Sequence, residues 1–169
     1  MNNMHQYLIA QVLACGDLLN TAVKFVSNDE LWFKPGPVDW HIHQVVTHLR
    51  DVQRDIFLPR IDIALNAPGT AIQPFHADAY MQTHYRADAP FDELLHDFDS
   101  ACQNFAAKLQ TLDEAQWRCH VQHPKITNMS IEWLAWHTIG HTHEHISQII
   151  SNRDQFYLKT SEVLKTSEV

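Results

Sequence analysis

The sequence predicts an all-α protein, a four-helix bundle with one long crossover between the second and third helices. Three observations carry this. Apolar residues recur at helical spacing in four separate segments, and no segment alternates as a half-buried strand would. The 169 residues include only 4 glycines, which suits long helices, and such a chain can bury one good core but not two ordinary domains.

The first helix is expected from about Met4 to Ser27, where Leu8, Val12, Leu19, Val23 and Val26 share a face. Lys34-Pro35-Gly36-Pro37 then breaks the chain. Asp39 is a good N-cap for a second helix that carries Val45, His48, Leu49, Val52 and Ile56. Pro59 should kink or end that helix, with Ile61 to Leu65 as a continuation. From about Asn66 to Pro90 the pattern is irregular apart from a weak helical patch around Tyr80, and connections this long are often functional. The third helix follows Pro90 and reaches about Leu112, with Phe91, Leu95, Phe98, Cys102, Phe105 and Leu109 on one face. Trp117 to Asn128 reads as a loop, and Ser130 caps a fourth helix that should reach about Asn152. The bundle thus occupies residues 1–152. Residues 153–169 form a tail, in which Leu158-Lys-Thr-Ser-Glu-Val163 recurs as residues 164–169, a repeat too short for a solenoid.

Composition narrows the function. A net charge of -8, from 12 basic and 20 acidic residues, argues against a nucleic-acid partner, because a phosphate backbone needs a basic face. No run of about 20 apolar residues is present, so no membrane span is expected. Cys15, Cys102 and Cys119 are odd in number and widely spaced, which fits neither a disulfide framework nor a cysteine zinc site and suits a reducing cytoplasm. Val12-Leu13-Ala14-Cys15 loosely resembles a lipoprotein cleavage site, but no Lys or Arg precedes it, and Cys15 reads as a helix residue.

The most informative pattern is His141-Thr-His-Glu-His145. Residues four apart on a helix point the same way, so His141 and His145 can share one metal ion. At about 100° per residue, Leu134, His137, His141, His145 and Gln148 form one stripe, opposite Ile139, Ile146 and Ile150. A single buried histidine is ordinarily a hydrogen-bonded core residue. Several on one stripe crowd, and an unsatisfied buried polar group costs roughly 1–3 kcal/mol. A metal relieves the crowding, because neutral imidazole is a strong ligand. On the second helix His41, Val45, His48 and Val52 share a face, so His48 should look inward and His43 should not. The candidate ligands are His48, His141 and His145, with His137 as an alternative to His145. Three protein ligands leave open coordination positions, as catalytic rather than structural sites do.

Other motifs fit less well. His41-Ile-His43 resembles the pair in amidohydrolase barrels, which need about 250 residues. His143-Glu144 begins a zincin motif, but Ser147 stands where its second histidine belongs. Glu93-Leu-Leu-His96 is a single E-x-x-H, where a di-iron bundle needs two. His5, His43, His76, His84, His96 and His120 are read as surface or packing residues, and Glu144 as a solvated or supporting group.

Val38-Asp39-Trp40 before His48-Leu49, together with Ser130-x-x-Trp133-Leu134 leading to His141-x-x-x-His145-x-x-Gln148-Ile149, resembles the DinB/YfiT-like superfamily. The resemblance extends to Phe57-Leu58-Pro59-Arg60 and His123-Pro124 and covers nearly the whole chain. It implies a four-helix bundle, commonly a homodimer, holding a divalent metal (zinc, nickel, iron or manganese) on His48, His141 and His145. It also implies a small-molecule substrate. Some relatives are metal-dependent thiol S-transferases or isomerases using low-molecular-weight thiols, others resemble hydrolases, and many have no known activity. The expectation is therefore a metal-dependent transferase or hydrolase, acting through a thiolate or an activated water, and the alternative is a non-catalytic metal-binding or stress-associated dimer. Trp40, Tyr80 and Tyr85 are placed to line its pocket. The stripe of Ile139, Ile146 and Ile150 needs cover, from the crossover, from the tail or, as the resemblance favours, from a two-fold partner.

Overall fold

The computed structural model describes the backbone of residues 2–166 and the side chains up to residue 161. Of the duplicated hexapeptide, the side chains from residue 162 onward and residues 167–169 altogether lie outside the described residues.

The bundle is built from α1 (Asn3–Ala22), a long bent helix, α6 (Phe91–Gln110) and α7 (Ile131–Thr166). The bent helix consists of α3 (Ile42–Asp51), a π-helical turn (Val52–Phe57) and α4 (Leu58–Asn66). Helix α1 packs on α6 and α7, and α3 packs on the same two, so α1 and α3 occupy opposite corners. Two short helices, α2 (Asn28–Trp32) and α5 (Ala77–His84), lie in the connections. The core between the four long helices includes Leu8, Val12, Leu49, Phe98, Phe105 and Ile149, all buried.

The first helix stops five residues earlier than its apolar period suggests, because a local competitor wins. Ser27 Oγ accepts from the Glu30 N–H (3.2 Å) and Glu30 Oε2 accepts from the Ser27 N–H (2.9 Å), a capping box that starts α2. Phe25, at φ 61°, reverses the chain just before it. The second long helix likewise starts at His41 rather than at Asp39. His41 Nδ1 accepts from the Gln44 N–H, and Gln44 Oε1 accepts from the His41 N–H.

Pro59 acts by widening the helix. Its ring would collide with a carbonyl one turn back, and it has no N–H to donate. The preceding turn is π-helical, with the Leu58 N–H bonded to Gln53 O, and α4 continues beyond. This turn carries Val52, Ile56 and Phe57.

The crossover contains α5 where the weak patch around Tyr80 lies. It is tied to the loop before α7: the Gly69 N–H donates to His120 O (2.8 Å) and the Ile72 N–H to Gln122 O (2.9 Å). Gly69, at φ 80°, supplies the left-handed turn this approach needs. Residues 120–121 and 129–130 pair as two antiparallel strands, β1 (His120–Val121) and β2 (Met129–Ser130), each too short to register as an alternating pattern. Ser130 Oγ then accepts from the Trp133 N–H (3.1 Å) and caps α7.

Helix α7 runs on past Asn152 to Thr166 because its far half is fastened to the segment around α2. Arg153 donates to Glu30 Oε1 (3.1 Å), Ala22 O (2.8 Å) and Lys24 O (3.3 Å). Phe156 packs edge-on to Phe33, and Lys159 Nζ donates to Pro35 O (2.9 Å). The face of α7 turned into the core carries Ile131, Ala135, Thr138, Thr142 and Ile149, between the histidine stripe and the isoleucine stripe. Ile139 is buried and Ile146 packs partly on the core, so of the isoleucine stripe Ile150, 48% exposed, is the member left outside. Among the described residues no helix is long and apolar enough to cross a membrane.

The Arg153 clamp has a measurable cost if broken. Burial pushes the Glu30 carboxyl up, but the hydrogen bonds from Ser27 and Arg153 outweigh it and hold it below the usual range. Glu30 is only 3% exposed, although it lies beneath a thin layer of chain. Arg153→Met should therefore destabilise by about 2 kcal/mol, below the range for deeper pairs, and lower the urea midpoint. A midpoint equal to wild type would show that the far half of α7 is not anchored this way.

Candidate metal centre

The three histidines singled out by spacing converge. His48 comes from α3, one turn before the π-helical segment, and His141 and His145 come from successive turns of α7. One nitrogen from each lies within 4.8 Å of the other two. His48 Nε2 and His141 Nε2 are 3.1 Å apart. Among the described residues no fourth histidine, cysteine or carboxylate joins this group.

Each ring is held by its surroundings. His48 is buried, with Trp40 and Phe75 against it. The edge of Phe57 meets His141 at a centroid distance of 5.5 Å. His145 Nδ1 lies 2.8 Å from Gln148 Oε1, and because an amide oxygen only accepts, Nδ1 carries the proton and Nε2 keeps its lone pair. Gln148 stands one turn further along the same stripe, so the helix that supplies the ring also fixes its tautomer.

Burial sets the protonation state. Desolvation, reinforced by His145, pulls His48 down to about 3. Desolvation, with the neighbouring imidazoles, pulls His141 down to about 2. His145 is also lowered, mainly by burial, against weaker upward effects of Gln148 and Glu144. All three are neutral near pH 7, the state in which imidazole ligates metal.

The donor set fits a divalent cation. Two nitrogens each ~2.1 Å from one ion stand roughly 3.0–3.4 Å apart for angles between octahedral and tetrahedral, which brackets the 3.1 Å observed here between His48 and His141. Two lone pairs at that distance repel unless a proton or a cation lies between them. His48 Nδ1 is buried without a hydrogen-bond partner in the protein, so its ring is held by packing and by what its Nε2 faces.

The group opens onto a pocket of about 370 Å³, walled by Trp40, Phe57, Phe75, Ile126 and Trp133, with Arg60, His123, His137 and Glu144 also on its surface. Larger clefts exist, but they contain none of the three histidines. His137 stacks on Trp133 at 4.4 Å and lines the pocket outside the three-nitrogen group. Glu144 is exposed on the same wall. Of the aromatic residues expected to line the pocket, Trp40 does. Tyr80 instead donates to Asp55 (3.2 Å), and Tyr85 donates to His43 Nδ1 (3.0 Å). His43 is a packing residue: its Nε2–H donates to Ala89 O (2.9 Å) and its ring stacks on Trp32. His5 is likewise buried, stacked on Trp117 at 3.9 Å. The spacing did not single out Arg60, Phe57 or Phe75 as pocket residues, because the π-helical turn and the crossover that bring them there leave no periodic signal.

Comparison with curated proteins finds no match. Among solved structures the chain is similar to YfiT from Bacillus subtilis, "a probable metal-dependent hydrolase with an unusual four-helix bundle topology". The TM-score is 0.82 at 21% identity, covering 92% of this chain and 90% of that one, a likeness of fold. The DinB superfamily matches residues 11–149. Because that match runs from within α1 through both α7 histidines and takes in most of the chain, the protein belongs to the DinB superfamily.

Proposed function

We propose that His48, His141 and His145 hold one divalent metal ion and that the pocket beside them is the active site of a metal-dependent enzyme of the hydrolase or thiol S-transferase type. The observation that carries this reading is a group of three nitrogen donors, with no fourth protein donor among the described residues, facing a pocket of about 370 Å³. A structural metal site would be closed by a fourth ligand. A divalent cation bound there would supply Lewis acidity toward an oxygen or sulfur nucleophile.

The residues around it define what the protein itself contributes. Among the described residues no serine, threonine, cysteine or lysine lines the pocket, which favours a nucleophile that enters from outside, as water or as a small thiol. Glu144 is the carboxylate among the pocket's lining residues, and in this reading it accepts the proton that such a nucleophile gives up. The Phe57, Phe75, Ile126 and Trp133 walls lower the polarity beside them and so strengthen charge interactions there. Hydrolysis is the first reading, in keeping with the description given to the similarly folded YfiT.

Elemental analysis tests the metal. Wild type should carry about one divalent ion per chain and His141→Ala none, while His137→Ala should keep its metal. Equal content in wild type and His141→Ala would sink the assignment. An esterase and thiol-transfer screen on the loaded protein then separates the two chemistries, and inactivity in both would favour a binding protein.

Gln148 offers a finer check. Gln148→Leu should leave the fold intact and weaken zinc affinity roughly 10- to 100-fold, the usual effect of removing a ligand's orienting partner. Unchanged affinity would mean that the His145 tautomer is set otherwise.

The pH dependence follows from the lowered histidines. Their folded pKa values lie below the unfolded value of about 6.5, so the unfolded chain binds more protons and stability falls as pH drops from about 6.5 toward 3. A metal that only the neutral rings bind adds to this loss. The melting temperature of zinc-loaded protein should therefore fall more steeply between pH 7 and 5 than that of stripped protein, and identical slopes would contradict ligation.

A further inference from the structure

Arg60 stands apart from the other arginines. Arg50 pairs with Asp51 and Asp97, Arg54 with Asp51 and Asp55, Arg86 with Asp88, and Arg153 with Glu30. Arg118 is exposed to solvent. Arg60 is half-buried, and among the described residues it has no carboxylate within ion-pair distance and no hydrogen bond. This is unexpected in a chain with 20 acidic and 12 basic residues. A guanidinium carries five donors, and because no Arg60 nitrogen is sealed from solvent, water can satisfy them until a ligand with matching acceptors takes its place.

Its position explains the arrangement. Arg60 follows Pro59 in the first turn of α4, directly after the π-helical turn, and lies on the wall of the histidine pocket. With Ile56 and Phe75 it also borders an adjoining cleft of about 500 Å³ along residues 70–75. The rest of the histidine pocket's wall is mixed, with Phe57, Phe75, Ile126 and Trp133 set among the histidines and Glu144. The ionisable groups facing this corner include His137 on α7, His123 on the loop before β2, Lys125 near His123, Glu144 near His137, and, on the adjoining cleft, Asp55, whose carboxylate is held by Arg54 and Tyr80. Burial first, and then the Arg60 charge, hold His123 and His137 below their usual range. Among the described residues lining the pocket, Arg60 is the only arginine or lysine.

We infer that Arg60 recognises a carboxylate on the substrate, so that the pocket takes a small organic acid with an apolar body. One guanidinium matches one carboxylate through two parallel N–H···O bonds. The aromatic and aliphatic walls suit the remainder of the molecule, with the reacting group toward the three histidines. With the metal removed, a single guanidinium matches a monoanion better than the dianion of a phosphate ester. The assignment of this ligand as substrate rests on the pocket being the active site, whereas binding of the anion does not.

The test uses full-length protein, stripped with a chelator and, separately, loaded with zinc, with metal content measured in each. Benzoate, neutral benzamide and phenyl phosphate are titrated while the Trp133 indole and His137 resonances are followed by NMR. Benzoate should bind stripped wild type at least about tenfold more tightly than benzamide, a difference of about 1.4 kcal/mol, and more tightly than phenyl phosphate. Arg60→Gln should remove the preference for benzoate over benzamide, and Arg60→Lys, which keeps the charge but not the fork, should retain part of it. Equal binding of benzoate and benzamide to wild type would overturn the inference and requires no variant to fold. Tighter binding of phenyl phosphate, or an unchanged benzoate preference in folded Arg60→Gln, would overturn it as well. Because the anion arms are read on stripped protein, they stand or fall separately from the metal assignment.

Discussion

The convergence of three neutral imidazoles at the junction of α3 and α7 is the constraint on which the rest of the site depends. Buried imidazoles cannot charge, and at 3.1 Å the His48 and His141 nitrogens cannot simply face each other as lone pairs. The junction needs something shared between them, and the surrounding contacts are arranged to hold the rings in place. Trp40 and Phe75 press on His48, Phe57 on His141, and Gln148 orients His145. A proton shared as an N–H···N hydrogen bond satisfies this pair, and a cation bound there instead would couple stability to occupancy.

Two local features let the bundle accommodate this junction. Helix α7 turns Ala135, Thr138 and Thr142 toward the core, small side chains that leave room for neighbouring helices, while its histidines emerge on an adjacent stripe toward the pocket. Thr142 satisfies its own hydroxyl by donating to Thr138 O (2.9 Å), whereas the Thr138 hydroxyl is buried without a partner. On the other side, the π-helical turn before Pro59 changes the register of the helix, and Ile56, Phe57 and Arg60 all reach the pocket. A local irregularity forced by one proline thereby becomes part of the pocket wall.

The helical period and the histidine spacing were legible in the sequence because both are local. Apolar recurrence placed the four long helices, and the four-residue spacing of His141 and His145 placed two rings on one turn-to-turn line before any tertiary contact was known. Ser130 also read correctly as a cap. What the period could not resolve were competitions between local signals. Ser27 and Glu30 override the apolar run that suggested a longer α1, and His41 caps the second helix in place of Asp39. The far half of α7 was hidden for a different reason, since Arg153, Phe156 and Lys159 are held by residues more than a hundred positions away. The same holds for the pocket wall. Phe75 comes from an aperiodic crossover, and its relation to His48 exists only once Gly69 and Ile72 are bonded to the segment before α7.

The most direct test of the central claim is X-ray absorption spectroscopy at the zinc edge on full-length protein loaded with one equivalent of zinc. The account predicts a first shell with three imidazole nitrogens at about 2.0–2.1 Å, showing the outer-shell scattering of the rings, and a light-atom donor completing the coordination. A shell containing sulfur near 2.3 Å, or one with no imidazole signature, would contradict it.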